Sequence, residues 1–324
     1  MGRRLLRDIL SINSDPAIRI TVGRALYAGK TLDVLVDSRF AGFRYINYYI
    51  TNHSYSAETM TYESQLHCFG KALGRVLLLF AAVILSQHAS AEQVNVAVAA
   101  NFMKPMASLK QRFEQQSGHK LSVAFGSSGR LYAQISNGAP FDVFLSADEA
   151  KPRALEAAKL TSVKPQVYAA GRLALWSRDS QVKVQGLETL RSPLVAKIAV
   201  ANPRIAPYGL AAIQVLERAE LYPLLKSKIV MGENIAQAYQ FAFTGNAQLG
   251  FVALSQVLET AKSEDYWLVP QELHDPILQS AVVLRRAEKN TAALAFFDFL
   301  LSPAASELIA EFGYQSLDSL KSTP

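Results

Sequence analysis

Cysteine is almost missing from this chain. Cys68 is the only one in 324 residues, and it lies ahead of the regularly patterned part of the sequence. From residue 92 onward a disulfide, a cysteine nucleophile and a thiolate metal site are therefore excluded. Histidine is nearly as scarce, with only His119 and His274 after residue 92. Their spacing does not suggest a metal site, so they read as two isolated surface histidines. Neither a free-cation site nor a resident cofactor is expected. A third absence is a basic block. The net charge is +6, but residues 92–324 carry 23 Lys/Arg against 21 Asp/Glu, while residues 1–91 carry 10 against 6. A nearly neutral body lacks the electrostatic footprint that a phosphate backbone needs, so nucleic acid is not an expected partner. Heptads, low-complexity runs and short-period repeats are also missing.

What the chain has is apolar material and length. Half its residues are apolar, enough for about two domains of ~100–200 residues each. Residues 1–59 show no sustained period and read as an upstream extension, unstructured or not translated. Residues 60–91 read as a secretory signal peptide. Lys71 and Arg75 supply positive charge, Val76 to Leu85 is an apolar run of 10, and Ala89-Ser90-Ala91 is a small-x-small cleavage pattern. The run is too short to span a bilayer as a permanent helix. Cleavage is expected after Ala91. Cys68 precedes the run and so is not placed for lipid attachment.

After Ala91 the pattern becomes regular. Val94, Val96 and Val98 alternate as in a strand, and Met103, Met106, Leu109 and Phe113 make a helix face that Gly118 ends. Asn101 is placed as that helix's N-cap. Strand Leu121–Phe125, helix Arg130–Asn137, strand Phe141–Leu145 and another helix follow. Later strands are expected at 173–176, 198–200, 229–231, 249–252, 266–269 and 281–284. Helices are expected at 210–219, 235–243, 291–301 and 304–312. Repeated strand–helix alternation predicts an α/β fold with parallel sheets and right-handed crossovers.

The turn Gly126-Ser127-Ser128-Gly129 lies between a strand and a helix. A helix start leaves backbone N–H groups without partners, and two hydroxyls stand beside these, which is an apparatus for holding an anion. The turns at Ala100-Asn101 and at Ser146-Ala147-Asp148 also follow strands. In such sheets the C-terminal strand ends lie on one edge, where ligands bind.

Residues 93–324 resemble the molybdate-binding periplasmic proteins of ABC-type molybdate transporters. The resemblance is carried by Val98-Ala99-Ala100-Asn101-Phe102, by Gly126-Ser127-Ser128-Gly129 and by the run from Ala133 to Glu149. It continues in Ile205-Ala206-Pro207-Tyr208-Gly209-Leu210-Ala211 and in Leu249-Gly250-Phe251-Val252-Ala253-Leu254. It implies a two-lobed periplasmic binding fold of type II, each lobe a mostly parallel sheet flanked by helices. Two hinge crossings near Ala170 and Pro276 would make residues 92–170 plus 277–324 lobe I, and residues 171–276 lobe II. It also implies a periplasmic monomer that hands molybdate or tungstate to a membrane permease of the ABC type. Carried over by motif, the oxyanion-binding residues would be Ala100, Asn101, Ser128, Tyr208 and the backbone of Ile235, with Ser127 as a neighbour. Each lies at an expected helix start, where unpaired donors and the helix dipole favour a dianion. Arg130 is placed on the exposed side of its helix.

Two positions depart from the family pattern. Ala100 stands where members carry Ser or Thr, which leaves Asn101 to supply the side-chain donor there. Ala253 stands where some members use a tyrosine, with Tyr208 as a substitute. Two other readings bear weighing. One is the same fold holding another anion such as sulfate. The other is a secreted serine hydrolase using Ser127 or Ser128. Gly-Ser-Ser-Gly is not the five-residue nucleophile elbow, and a base would have to be His119 or His274, the first at the wrong end of its strand. The export reading has a direct check: N-terminal sequencing of the exported protein should begin at Glu92. A mature chain retaining residues before Met60 would overturn it.

Overall fold

The computed structural model describes residues 19–27, 30–37 and 92–316. The chain divides into two compact units, Met1–Gln87 and His88–Pro324. In the first, β1 (Arg19–Tyr27) and β2 (Lys30–Asp37) pair antiparallel. This hairpin falls within residues 1–59, the stretch expected to be an upstream extension that is unstructured or not translated. The register shifts between Val22 and Ala25, and such a shift breaks the strict alternation by which a strand is recognised in sequence. The expected signal peptide, residues 60–91, lies outside the described residues.

The second unit opens with β3 (Gln93–Ala99), a 3₁₀ turn at Ala100–Phe102 and α1 (Met103–Ser117). Next come β4 (Lys120–Gly126), α2 (Ser128–Ser136), β5 (Val143–Ser146), α3 (Ala150–Ala157) and β6 (Gln166–Gly171). Then follow β7 (Leu173–Trp176), β8 (Ile198–Ala201), α4 (Pro207–Arg218), α5 (Tyr222–Leu225) and β9 (Ile229–Gly232). After these come α6 (Ile235–Phe243), β10 (Leu249–Ala253), α7 (Leu254–Val257) and β11 (Tyr266–Leu268). The unit closes with β12 (Ile277–Val283), α8 (Thr291–Leu300) and α9 (Pro303–Glu311). Among the described residues no single helix is long and apolar enough to cross a membrane.

These strands make two five-stranded sheets, ordered β4-β3-β5-β12-β6 and β11-β7-β10-β8-β9. The chain passes from the first sheet to the second between Gly171 and Leu173, and returns between Leu268 and Ile277. Each sheet is mostly parallel, as expected, with one reversed strand. β3 runs parallel to β4 and β5, and β8 parallel to β9 and β10. In contrast, β12 runs antiparallel to β5 and β6, and β7 to β10 and β11. The two reversed strands are those the chain enters directly from the other sheet. A strand entered at the edge where its neighbours end has to run the opposite way, whatever its sequence.

Each sheet buries its own core. Val94, Val96, Val98, Phe102, Leu109, Phe113 and Phe296 pack on the first. Leu173, Leu175, Ile198, Val200, Leu216 and Phe251 pack on the second, and Ala99, Ala100 and Ala147 of the first sheet's loops join that cluster. Local signals fix several helix ends. Gly118 closes α1 in the left-handed region at φ 74°, its N–H donating to the Glu114 carbonyl. Asn234, Asn290 and Ser302 cap α6, α8 and α9, accepting the N–H groups of Gln237, Ala293 and Ala305. Asn101 is not a cap. It lies inside the 3₁₀ turn that begins at Ala100, and no side-chain hydrogen bond caps that turn. Nor did the sequence mark β6. Ala169-Ala170-Gly171 has little strand propensity, and pairing with β12 makes it a strand.

Candidate functional site

The C-terminal ends of β3, β4, β8 and β9 lead into helix starts that meet around one small cavity. It is lined by Ala99, Ala100 and Asn101 after β3, by Gly126, Ser127 and Ser128 after β4, and by Ala147 after β5. From the second sheet come Ala206, Pro207 and Tyr208 at the start of α4, and Asn234 and Ile235 at the start of α6. Its empty volume is about 200 Å³, space open to solvent included. Only about 10 Å³ of it is open to the centre of a water-sized sphere, so an occupant has only a few heavy atoms. No Lys, Arg, His, Asp or Glu lines it. Its polarity comes from hydroxyls and from backbone N–H groups at helix starts, whose dipoles put partial positive charge there.

All six residues singled out from the sequence line this cavity, but their roles differ from those expected. Asn101 does not offer its side chain to the cavity. Its Nδ2 donates to Gln279 Oε1 at 2.7 Å and to the Tyr314 hydroxyl at 2.9 Å, so both amide hydrogens are engaged behind the site. What remains for a ligand at this turn is backbone. The Tyr208 hydroxyl is not free to replace the family's missing tyrosine either. It is hydrogen-bonded to Tyr314, and it sits so close to Gly171 that a Cβ there would lie 2.0 Å from it. Tyr208 thus also reaches the cavity through its backbone. Burial pushes the phenol of Tyr208 well above its ordinary value, and that of Tyr314 up to about 12, so both stay neutral.

The serines also exchange emphasis. Ser128 is fully buried and its Oγ accepts the Ala147 N–H at 2.9 Å, which leaves its own hydrogen to donate. Ser127 is 4% exposed and its Oγ has no hydrogen-bond partner. A buried hydroxyl without a partner is unfavourable by about 1–3 kcal/mol, and here it belongs to the cavity wall. Sequence reading did not count Asn234, Ala206 or Ala147 among the site residues, although it placed the Ala147 turn at the ligand edge. Asn234 carried a signal, as a capping residue before an apolar helix; the other two are small side chains that matter because they leave room.

Contacts between the two sheet units surround the cavity. The Gly129 N–H donates to the Ile205 carbonyl at 2.8 Å. Arg130, exposed, pairs with Glu233 at 3.0 Å, and Lys104 with Glu259 at 2.9 Å. Such exposed pairs contribute at most about 1 kcal/mol each.

Neither histidine lines the cavity that holds the serines. His119 accepts the Glu92 N–H at Nδ1 and stacks on Phe113, at the opposite end of β4. His274, expected at the surface, is buried. Its Nδ1 lies 2.7 Å from the Asp275 carbonyl, and burial holds its pKa below the usual value. Among the described residues no group of three or more His, Cys, Asp or Glu is placed to hold a metal ion.

Residues 94–315 match the family model of bacterial extracellular solute-binding proteins. The chain is 45% identical over 247 residues to the molybdate-binding protein ModA of Azotobacter vinelandii, covering 75% of this chain and 98% of that one. It is 43% identical over 231 residues to the ModA of Rhodobacter capsulatus, covering 71% and 91%. Among solved structures it is similar to the periplasmic molybdate-binding protein of A. vinelandii, with a TM-score of 0.65 and 36% identity over 68% of this chain and 98% of that one.

A Cβ on Gly129 would stand 2.9 Å from Ile205 Cα, a backbone atom that cannot swing aside. Gly129→Ala should therefore hold the two sheet units apart. Small-angle scattering is expected to give a larger radius of gyration than for the unsubstituted protein. An unchanged radius would mean that the contact adapts.

Proposed function

Because the chain belongs to the bacterial extracellular solute-binding proteins, and within them to the ModA molybdate-binding proteins, we propose that it captures molybdate in the periplasm and delivers it to an ABC importer. The observation that carries this reading is the convergence of four helix starts on a small cavity with no charged side chain. A tetrahedral dianion supplies acceptors on all sides. It can take N–H groups from Ala100, Asn101, Tyr208 and Ile235 together with the hydroxyls of Ser127 and Ser128. The helix dipoles replace a countercharge. Residues 92–170 with 277–324 act as one lobe and residues 171–276 as the other, and the cleft closes over the anion by a hinge motion.

The donor set also gives selectivity. No carboxylate lines the wall, so a singly protonated anion such as hydrogen phosphate has to turn an O–H toward donors. Fully ionised molybdate and tungstate avoid this, and their similar size makes tungstate a second ligand. Sulfate is ionised too but smaller, so it reaches fewer of the donors at once. The protein acts as a monomer after cleavage behind Ala91, and it binds without catalysing a reaction. That neither His119 nor His274 lines the cavity supports the last point.

Two measurements test the reading. A ligand bound only by the folded state stabilises it by RT ln(1 + [L]/Kd), about 4 kcal/mol at a thousandfold excess over Kd. Molybdate and tungstate at submillimolar concentration should raise the melting temperature, with sulfate and phosphate giving little. No shift with either of the first two would overturn the assignment.

The serines are separable by isothermal titration combined with unfolding. Ser127→Ala should weaken molybdate binding by ~1.5–3 kcal/mol, the range for hydrogen bonds to charged groups, and leave the ligand-free protein no less stable. Ser128→Ala should lower both affinity and ligand-free stability, since the Ala147 N–H also loses its acceptor. Unchanged affinity in both would mean the turn is structural alone.

A further inference from the structure

We propose that Tyr314 is a positioning residue of the oxyanion site, its hydroxyl fastening together the two donor turns that face each other from opposite sheets. The inference rests on the oxyanion reading for its functional sense, and on hydrogen-bond geometry for its mechanism.

The Asn101 turn belongs to the first sheet and the Tyr208 turn to the second, and both end on this one atom. The Tyr314 hydroxyl donates to the Asn101 carbonyl at 2.9 Å and accepts from Asn101 Nδ2 at 2.9 Å. The Tyr208 hydroxyl comes in beside this cluster from the other side, in the space that Gly171 leaves next to Gln279. Ser255, which follows β10 of the second sheet, adds a further tie. Its Oγ donates to the same Asn101 carbonyl at 2.9 Å and lies 3.4 Å from Tyr314.

The tyrosine is itself held fast. Gln315 pairs with Ala170 of β6 through two hydrogen bonds of 2.9 Å, just before the chain leaves the first sheet. The ring packs edge-on against Phe102 at 5.2 Å. Gly171 supplies the space into which the Tyr208 hydroxyl reaches. The 3₁₀ turn has no cap of its own, so the direction of its N–H groups depends on what grips Asn101. That grip is Tyr314, with Gln279 and Ser255. None of these side chains touches the anion. Their effect on it is exerted through the backbone of Asn101 and Tyr208.

The test compares Tyr314→Phe, Tyr208→Phe and, as control, Tyr168→Phe. Tyr168 packs on the same Phe102, but its hydroxyl has no partner. Loss of a hydroxyl bond here should weaken molybdate binding about tenfold, mainly through faster release, for Tyr314→Phe and Tyr208→Phe alike. The double variant should be little weaker than Tyr314→Phe alone, because that variant already lacks the hydroxyl on which the Tyr208 link ends. Tyr168→Phe should bind as the unsubstituted protein does. Amide exchange in the ligand-free protein gives a readout that needs no ligand: Tyr314→Phe should speed exchange at residues 100–102 and at 207–209 together. Should molybdate fail to bind the unsubstituted protein while exchange still rises at both turns, the positioning role stands and the choice of ligand fails. Unchanged exchange at either turn, or a lower melting temperature with affinity intact, would overturn the role of Tyr314.

Discussion

Unpaired N–H groups at a helix start carry partial positive charge, and starts that face one another repel. Four such starts face one cavity here, with no side-chain anion between them. The rest of the second unit follows from that constraint. Closing the cleft around nothing brings like charges together and leaves the Ser127 hydroxyl buried without a partner. A dianion reverses both effects at once. On the proposed reading, an occupant of this kind would favour the closed arrangement by its differential interaction with it, as a shift of population requires.

Contacts that do not involve the cavity oppose the repulsion. The Gly129–Ile205 hydrogen bond and the two exposed ion pairs act at the sides. The buried cluster of Asn101, Tyr208, Ser255, Gln279 and Tyr314 acts from behind. The buried cluster matters more per bond, because it works away from water, where a lost partner is not replaced. Small residues complete the arrangement. Ala99, Ala100 and Ala147 of the first sheet's loops enter the second sheet's core, which lets the two halves approach closely enough for one anion to touch both.

Much of this was legible in the sequence for identifiable reasons. The α6 boundaries followed from an apolar face at helical spacing, and the end of α1 from Gly118. The turns that reach the cavity could be located because each follows a short apolar strand and precedes an amphipathic helix. Other features could not be read. The strand β6 depends on β12, more than a hundred residues later. The reversed strands β7 and β12 depend on where the chain crosses between sheets. His274 is buried by packing that no local pattern announces.

Residue types and their spacing set the chemistry of the site: which turns bear hydroxyls, which helices start there, and that no lysine, arginine or histidine belongs among them. Those facts are local, set by residue type and by the period of apolar positions. How each donor is used depends on long-range packing. It turned the Asn101 amide and the Tyr208 hydroxyl away to Tyr314, leaving backbone N–H groups at both turns, and it left Ser127 rather than Ser128 without a partner. The physical reason is that a buried polar atom takes whatever partner the fold brings within reach. For these atoms that partner lies as much as 213 residues away along the chain.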